Sequence, residues 1–146
     1  MKKFTISFLN GDRASQEYEA KTFSEAVRLA IADGMDLRGV DLSFVRLTDV
    51  DFSGLDLTGA NFEYSTFNDC CFKNTNLSEV NFSYAGFWEC TLEGAVCDRT
   101  DFYYSSFVAC NMRNAKLLMS RNLLAAVFGN LYEAVLPTNF IPTCPR

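Results

Sequence analysis

Six cysteines and no histidine bound the chemistry open to this chain of 146 residues. Cys70 and Cys71 are adjacent in the stretch STFNDCCFKN, and Cys90, Cys97, Cys110 and Cys144 follow. Thiols can hold a soft metal, close a disulfide, act as nucleophiles or simply pack, and only their placement separates these roles. The missing histidine removes the commonest general base and the usual partner of a catalytic cysteine. The sequence also lacks a glycine-rich phosphate loop and any recognisable metal-ligand spacing. These features point away from an enzyme and require no cofactor and no metal.

What positions the thiols is a repeat. Written in fives from Met35, the chain reads MDLRG VDLSF VRLTD VDFSG LDLTG ANFEY and continues without a slip to AKLLM, seventeen units ending at Met119. The third residue is Leu or Phe in fifteen of them, and the two exceptions, Cys97 and Met112, are also apolar. The first residue is small or aliphatic, and Asp or Asn dominates the second. Neither a heptad nor a 3.6-residue helical stripe produces a period of five.

The pattern resembles that of the pentapeptide-repeat family, A(D/N)Lxx, with Ala60-Asn61-Phe62 and Val40-Asp41-Leu42 among the close fits. The resemblance implies an all-β solenoid, a right-handed quadrilateral β-helix with one pentapeptide per side and twenty residues per coil. In that fold the first and third residues point inward and the other three face solvent. Coils of a solenoid stack at the inter-strand spacing of about 4.8 Å, so seventeen units make about four coils.

Inward columns follow by counting in twenties. Leu42, Phe62, Phe82 and Phe102 form one, and Leu47, Phe67, Phe87 and Phe107 the next, both read as core packing. Cys70, Cys90 and Cys110 share a first-position column with Val50. Three thiols in line on one wall do not make a tetrahedral zinc site, and parallel side chains do not converge as a disulfide requires. We read them as small hydrophobes at a tight corner. Cys97 is a third-position core residue, Cys144 lies in the tail, and Cys71, in the outward second position, is the thiol expected to be accessible.

The ends depart from the repeat and define three segments, 1–34, 35–119 and 120–146. Phe4, Ile6 and Phe8 alternate as in a strand, Asn10-Gly11 is a hairpin turn, and a second strand runs through Glu17-Tyr18-Glu19. Thr22-Phe23-Ser24-Glu25 is a capping box that opens a helix, ended by Gly34. This predicts a ββα cap over the first coil, where an exposed sheet edge would invite aggregation. Beyond Met119, Leu123, Leu124, Val127, Phe128, Leu131 and Val135 recur at helical spacing and predict a C-terminal helix. That helix is either a lid on the last coil or a homodimer seam through Leu124, Val127, Phe128 and Leu131. A solenoid between such ends is also similar to small phage and prophage members of the family.

The outward columns carry the candidate site. Phe44, Tyr64, Tyr84 and Tyr104 stack in the fifth position of one side, and Asp49, Asp69 and Glu89 in the fifth position of the next, with Trp88 adjacent. Solvent-facing aromatics either stack along a sheet or anchor a protein partner. The repeat region holds twelve acidic and six basic residues, within a chain of net charge -5, which disfavours direct nucleic-acid binding. The reading is a non-catalytic protein-binding module. The resemblance implies a more specific version, because quinolone-resistance and mycobacterial members of the family bind DNA gyrase as DNA mimics. The alternative is a self-assembling structural scaffold with no foreign partner. No apolar run is long enough to span a membrane, and Asn10-Gly11 ends the first apolar stretch too early for a signal peptide, so a cytoplasmic bacterial or phage protein with reduced thiols is expected.

Overall fold

The computed structural model describes residues 1–11, 13–117 and 119–122, and the backbone of 127–128. Strand β1 (Lys2–Phe8) pairs antiparallel with β2 (Gln16–Ala20), and helix α1 (Phe23–Ala32) follows. Thr22 Oγ1 caps the helix by accepting from Glu25 N–H at 3.1 Å, while Glu25 Oε2 accepts from Lys21 N–H at 2.7 Å. The other edge of β1 pairs antiparallel with β3 (Val40–Asp41), the first rung of the solenoid. The first coil therefore does not present a bare edge there.

From Val40 the chain winds in four-sided coils. Leu42 N–H donates to Asn61 O at 2.8 Å and Asn61 N–H to Val40 O at 2.9 Å; twenty residues on, Phe62 donates to Asn81 O and Asn81 to Ala60 O in the same pattern. Isolated parallel bridges climb three sides, as in Asp41–Asn61–Asn81–Asp101–Arg121. The fourth side carries β4 (Arg46–Thr48), β5 (Thr66–Asn68), β6 (Gly86–Trp88) and β7 (Ser106–Val108), parallel and in register. The reason for the difference is local. On the bridge sides the second residue is mostly Asp or Asn, whose Oδ1 accepts from the N–H two residues on, as Asp51 does from Ser53 and Asn81 from Ser83, both at 2.9 Å. These Asx turns bend the chain. On the strand side the second residues are Arg46, Thr66, Gly86 and Ser106, which make no such turn and leave the segment straight.

Every fifth residue from Gly39 to Asn114 has φ between 51° and 70°. The left-handed conformation turns each corner, and on the bridge sides the carbonyl of the third residue closes the turn, as in Leu55 N–H to Phe52 O at 3.1 Å. Glycine fills this position at 39, 54, 59 and 94, where it removes the steric penalty.

The interior is a lattice of rings. Phe67, Phe87 and Phe107 stack at centroid distances of 4.8 and 4.5 Å, and neighbouring columns meet edge-on, as Phe62 and Phe67 do at 5.3 Å. Both are the favourable aromatic geometries. Three inward polar residues reach the coil before them, while Ser105 Oγ donates within its own coil to Phe102 O at 2.9 Å. Ser65 Oγ donates to Leu42 O at 2.6 Å, Thr75 Oγ1 to Phe52 O at 2.8 Å and Thr100 Oγ1 to Leu77 O at 2.7 Å. The thiols of Cys70, Cys90 and Cys110 make the same link, at 3.6, 3.4 and 3.5 Å, to Leu47, Phe67 and Phe87 O. The cysteines are thus buried donors to the coil before them, at the corners that follow the strands. Cys90 is pushed towards the protonated form by its contacts with Cys110 and Cys70 and by burial, and burial raises the Cys97 thiol to about 12. Cys71 is half-buried, and Cys144 lies outside the described residues.

The helix expected from 123 to 135 is corrected where the chain is described. Val127–Phe128 form strand β8, which pairs parallel with β7 through Ser106–Val127 and Phe107–Phe128. The offset is twenty-one residues there, against twenty at Asp101–Arg121, so one extra residue enters between them. The physical reason is the open edge of β7, whose unpaired backbone groups favour a strand of β-prone residues over a solvated helical turn. Leu124 and Leu131 lie outside the described residues.

Phe67→Ala should lower unfolding free energy by about 3–5 kcal/mol in urea denaturation, whereas Cys90→Ser, which keeps a donor of the kind Ser65 supplies, should cost about 1 kcal/mol or less. Thiol labelling of the native protein should modify Cys71 and spare Cys70, Cys90, Cys97 and Cys110, which are at most 3% exposed. At the entry to the first coil, hydrogen bonds from Arg38 hold the Asp36 carboxyl down at about 2. A depressed folded-state pKa stabilises above the unfolded value of about 3.9 and is lost as pH falls towards 2. Asp36→Asn should therefore flatten the fall in Tm across that acid window and nowhere else.

Candidate protein-interaction face

The strand side lies between two corner columns. Along one corner Phe44, Tyr64, Tyr84 and Tyr104 stack at centroid distances of 5.0, 4.6 and 5.7 Å with ring planes within 13° of parallel. Tyr103 packs edge-on against Tyr84 and Tyr104. The four stacked rings are 42–73% exposed. Along the other corner stand Asp49, Asp69 and Glu89, each tied by its backbone N–H to the next coil at 2.9–3.1 Å. Carboxylates elsewhere meet cations across the rungs, as Glu79 does Arg99 at 2.6 Å and Glu93 does Lys73 at 3.6 Å. Asp49, Asp69 and Glu89 have no ion pair among the described residues.

The structure places the eight aromatic and acidic candidates on one face and its two borders, with Trp88 on the sheet between them. It also shows what counting in fives missed. Both columns sit on left-handed corners. For a ring or a Glu side chain this backbone costs about 1–2 kcal/mol, and a stacked pair returns about 0.5–1.5. The two nearly cancel, so stability alone does not explain why this corner is aromatic while the next bridge-side corners use Gly54, Gly59 and Gly39. The abundance of Gly, Asn and Asp in the fifth position was the signal for these corners.

Gly86 and Trp88 form a second feature. A Cβ on Gly86 would lie 2.3 Å from the Trp88 ring, so the indole lies back across the glycine on the sheet. Helix α1 borders the face at its first coil: Arg28 donates to Thr48 O at 3.0 Å and Asp49 O at 3.2 Å, and Ser24 Oγ accepts from Thr48 N–H at 3.0 Å.

Two substitutions test this geometry. Tyr84→Gly removes two stacks and a left-handed side chain together, so its stability should stay within about 1 kcal/mol of the parent; a loss of about 3 kcal/mol or more would make the ladder a structural prop. Gly86→Ala should displace Trp88, the single tryptophan, and shift its fluorescence while the fold persists.

Compared with known proteins, the chain matches the family model of pentapeptide repeats in eight copies, over residues 30–54, 36–74, 56–87 and 81–117. No curated protein matches it by sequence. Among solved structures it is similar to HetL, a pentapeptide repeat protein involved in heterocyst differentiation regulation from the cyanobacterium Nostoc sp., with 19% identity and a TM-score of 0.58 over 62% of this chain and 41% of HetL. Rfr23, a pentapeptide repeat protein from the cyanobacterium Cyanothece, shares 17% identity at a TM-score of 0.35, covering 62% of this chain and 65% of its own. A pentapeptide repeat protein from the Arabidopsis thaliana thylakoid lumen shares 25% identity at a TM-score of 0.26, over 66% of this chain and 70% of that one. The likeness to HetL shows the fold, a right-handed β-helix, although the chain spans well under half of HetL's length. With the family match extending over more than half of its residues, the chain belongs to the pentapeptide-repeat family.

Proposed function

We propose that this chain is a non-catalytic module that binds a protein through the side made of β4 to β7. The observation behind the reading is the pair of ladders that border this side, one of exposed stacked rings and one of carboxylates without counter-ions. Exposed Tyr and Trp are favoured interface anchors, and a column of unneutralised acids attracts a basic surface. Members of this family act as protein-interaction modules. A cytoplasmic setting belongs to the same proposal; among the described residues no helix is long and apolar enough to cross a membrane.

The most specific version is mimicry of DNA towards a DNA-binding enzyme such as gyrase, as the family resemblance implies. Charge density limits its extent. The repeat region carries twelve acidic and six basic residues along a rod of roughly 20 Å by the inter-coil spacing. That is about one net charge per 3 Å, half the density of duplex DNA. The acidic column accordingly suits a short basic stretch of a partner rather than a whole DNA channel. The second reading is a self-assembling scaffold, favoured by the 40–73% exposure of five aromatic residues at one corner. It no longer has the helical seam, since Val127–Phe128 form a strand.

The test is capture of partners from bacterial lysate at low and high salt, with duplex DNA as competitor, using the parent and two triple variants. Reversing Asp49, Asp69 and Glu89 to Lys should abolish salt-sensitive, DNA-competed capture and leave oligomeric state unchanged. Persistence of that capture would sink the acidic-column reading. Changing Tyr64, Tyr84 and Tyr104 to Ser should weaken partner binding by about 2 kcal/mol or more if they are anchors. A parent that captures nothing and scatters light as a dimer, reverting to monomer in the Tyr variant, would establish the scaffold instead.

A further inference from the structure

Between the two ladders the strand side has a notch. A cavity of about 180 Å³ opens there among Arg46, Thr66, Asn68 and Trp88. Thr66 forms its floor, with Arg46 one rung before it in the same column and Gly86 one rung after. The Trp88 ring, lying across Gly86, makes one wall, and Arg46 makes the other about 10 Å away by two inter-strand spacings. Arg46 is exposed and has neither an ion pair nor a hydrogen bond among the described residues. Thr66 Oγ1 is buried and also makes no hydrogen bond among them. Arg28, across a neighbouring cavity that shares Arg46, is already engaged by two backbone carbonyls. Arg46 is therefore the cation this side has to offer.

We propose that the notch takes one carboxylate side chain, an Asp or Glu of the protein partner. Arg46 is its ion-pair partner, and the Asn68 amide is its hydrogen-bond donor. The indole of Trp88 shields the pair from water and so strengthens it. Size selects a side chain: the space is smaller than the roughly 300 Å³ or more of typical small-molecule sites. Charge selects the carboxylate, because Arg46 is the one charged residue lining the notch. Asp69 and Glu89 stand in the adjoining corner column and repel a carboxylate there, so the same acid that fits the notch is rejected one column over. The inference rests on the protein-binding reading of this side and sharpens it. The partner surface is not uniformly basic, but carries an acidic residue set beside its basic ones, which fixes the register of docking.

The single tryptophan makes the notch directly observable. The purified full chain is titrated at low salt with acetyl-glutamate amide, with the glutamine and lysine analogues as controls. Indole fluorescence, the Trp88 indole N–H resonance and the Arg46 Nε–H resonance are followed. The glutamate compound should perturb all three saturably, with a Kd on the order of millimolar, and the analogues should not. Arg46→Gln should weaken the response about fivefold or more, Asn68→Ala should weaken it less, and Arg46→Lys should restore part of it, with circular dichroism confirming an intact fold. An equal response to glutamine, an unchanged titration in Arg46→Gln, or no saturation overturns the proposal. No partner is present in this assay, so its failure leaves the docking face standing. Conversely, capture that survives reversal of the acidic column sinks the acidic-column reading without touching the notch.

Discussion

The parallel N–H···O ladder between coils is the constraint from which the rest of this molecule follows. Each rung ties a residue to the ones twenty before and twenty after it, so a one-dimensional period of five becomes columns about 4.8 Å apart. Any side-chain property is then repeated at a fixed pitch, and small differences between units are amplified into continuous features. Phe67, Phe87 and Phe107 become a stacked core column, and Asp49, Asp69 and Glu89 become a line of charge.

The ladder also dictates how the chain can turn. To come back above itself after four sides, the backbone bends sharply at every fifth residue, in the left-handed region that glycine tolerates best. At several corners without Gly, something offsets the strain. At Phe44, Tyr64, Tyr84 and Tyr104 the offset is ring stacking. At Asp49, Asp69 and Asn74 the short polar side chain adopts this backbone at lower cost. Corners are also the most exposed part of a four-sided rod, so residues chosen to turn the chain are the ones a partner meets first.

The same economy explains the cysteines. The coil interior leaves room for a small residue at most first positions, and a donor at 65, 75 or 100 reaches a carbonyl of the coil before it. Cys70, Cys90 and Cys110 occupy this place beside Ser65, Thr75 and Thr100 as sulfur versions of one device. Among the described residues no group of His, Cys, Asp or Glu is arranged to hold a metal. Cys70, Cys90 and Cys110 thus serve the packing between coils, and the strand side presents rings, carboxylates and the Arg46 guanidinium.

The amino-acid sequence by itself determined the period, the inward columns and the lateral order of the outward ones, because position within a strict repeat maps directly onto a side of the coil. It marked the strand side too, through the absence of Asp or Asn at Arg46, Thr66, Gly86 and Ser106. The tertiary structure alone decided three things. Val127–Phe128 became a strand although their apolar spacing reads as helix, because the free edge of β7 supplies partners that an isolated turn lacks. Trp88 lies over Gly86, a choice of side-chain direction that no spacing encodes. The notch between Arg46 and Trp88 needs three successive rungs, so its walls are forty-two residues apart in the chain. Local pattern specifies which way a residue faces; only the stacked coils specify what faces it.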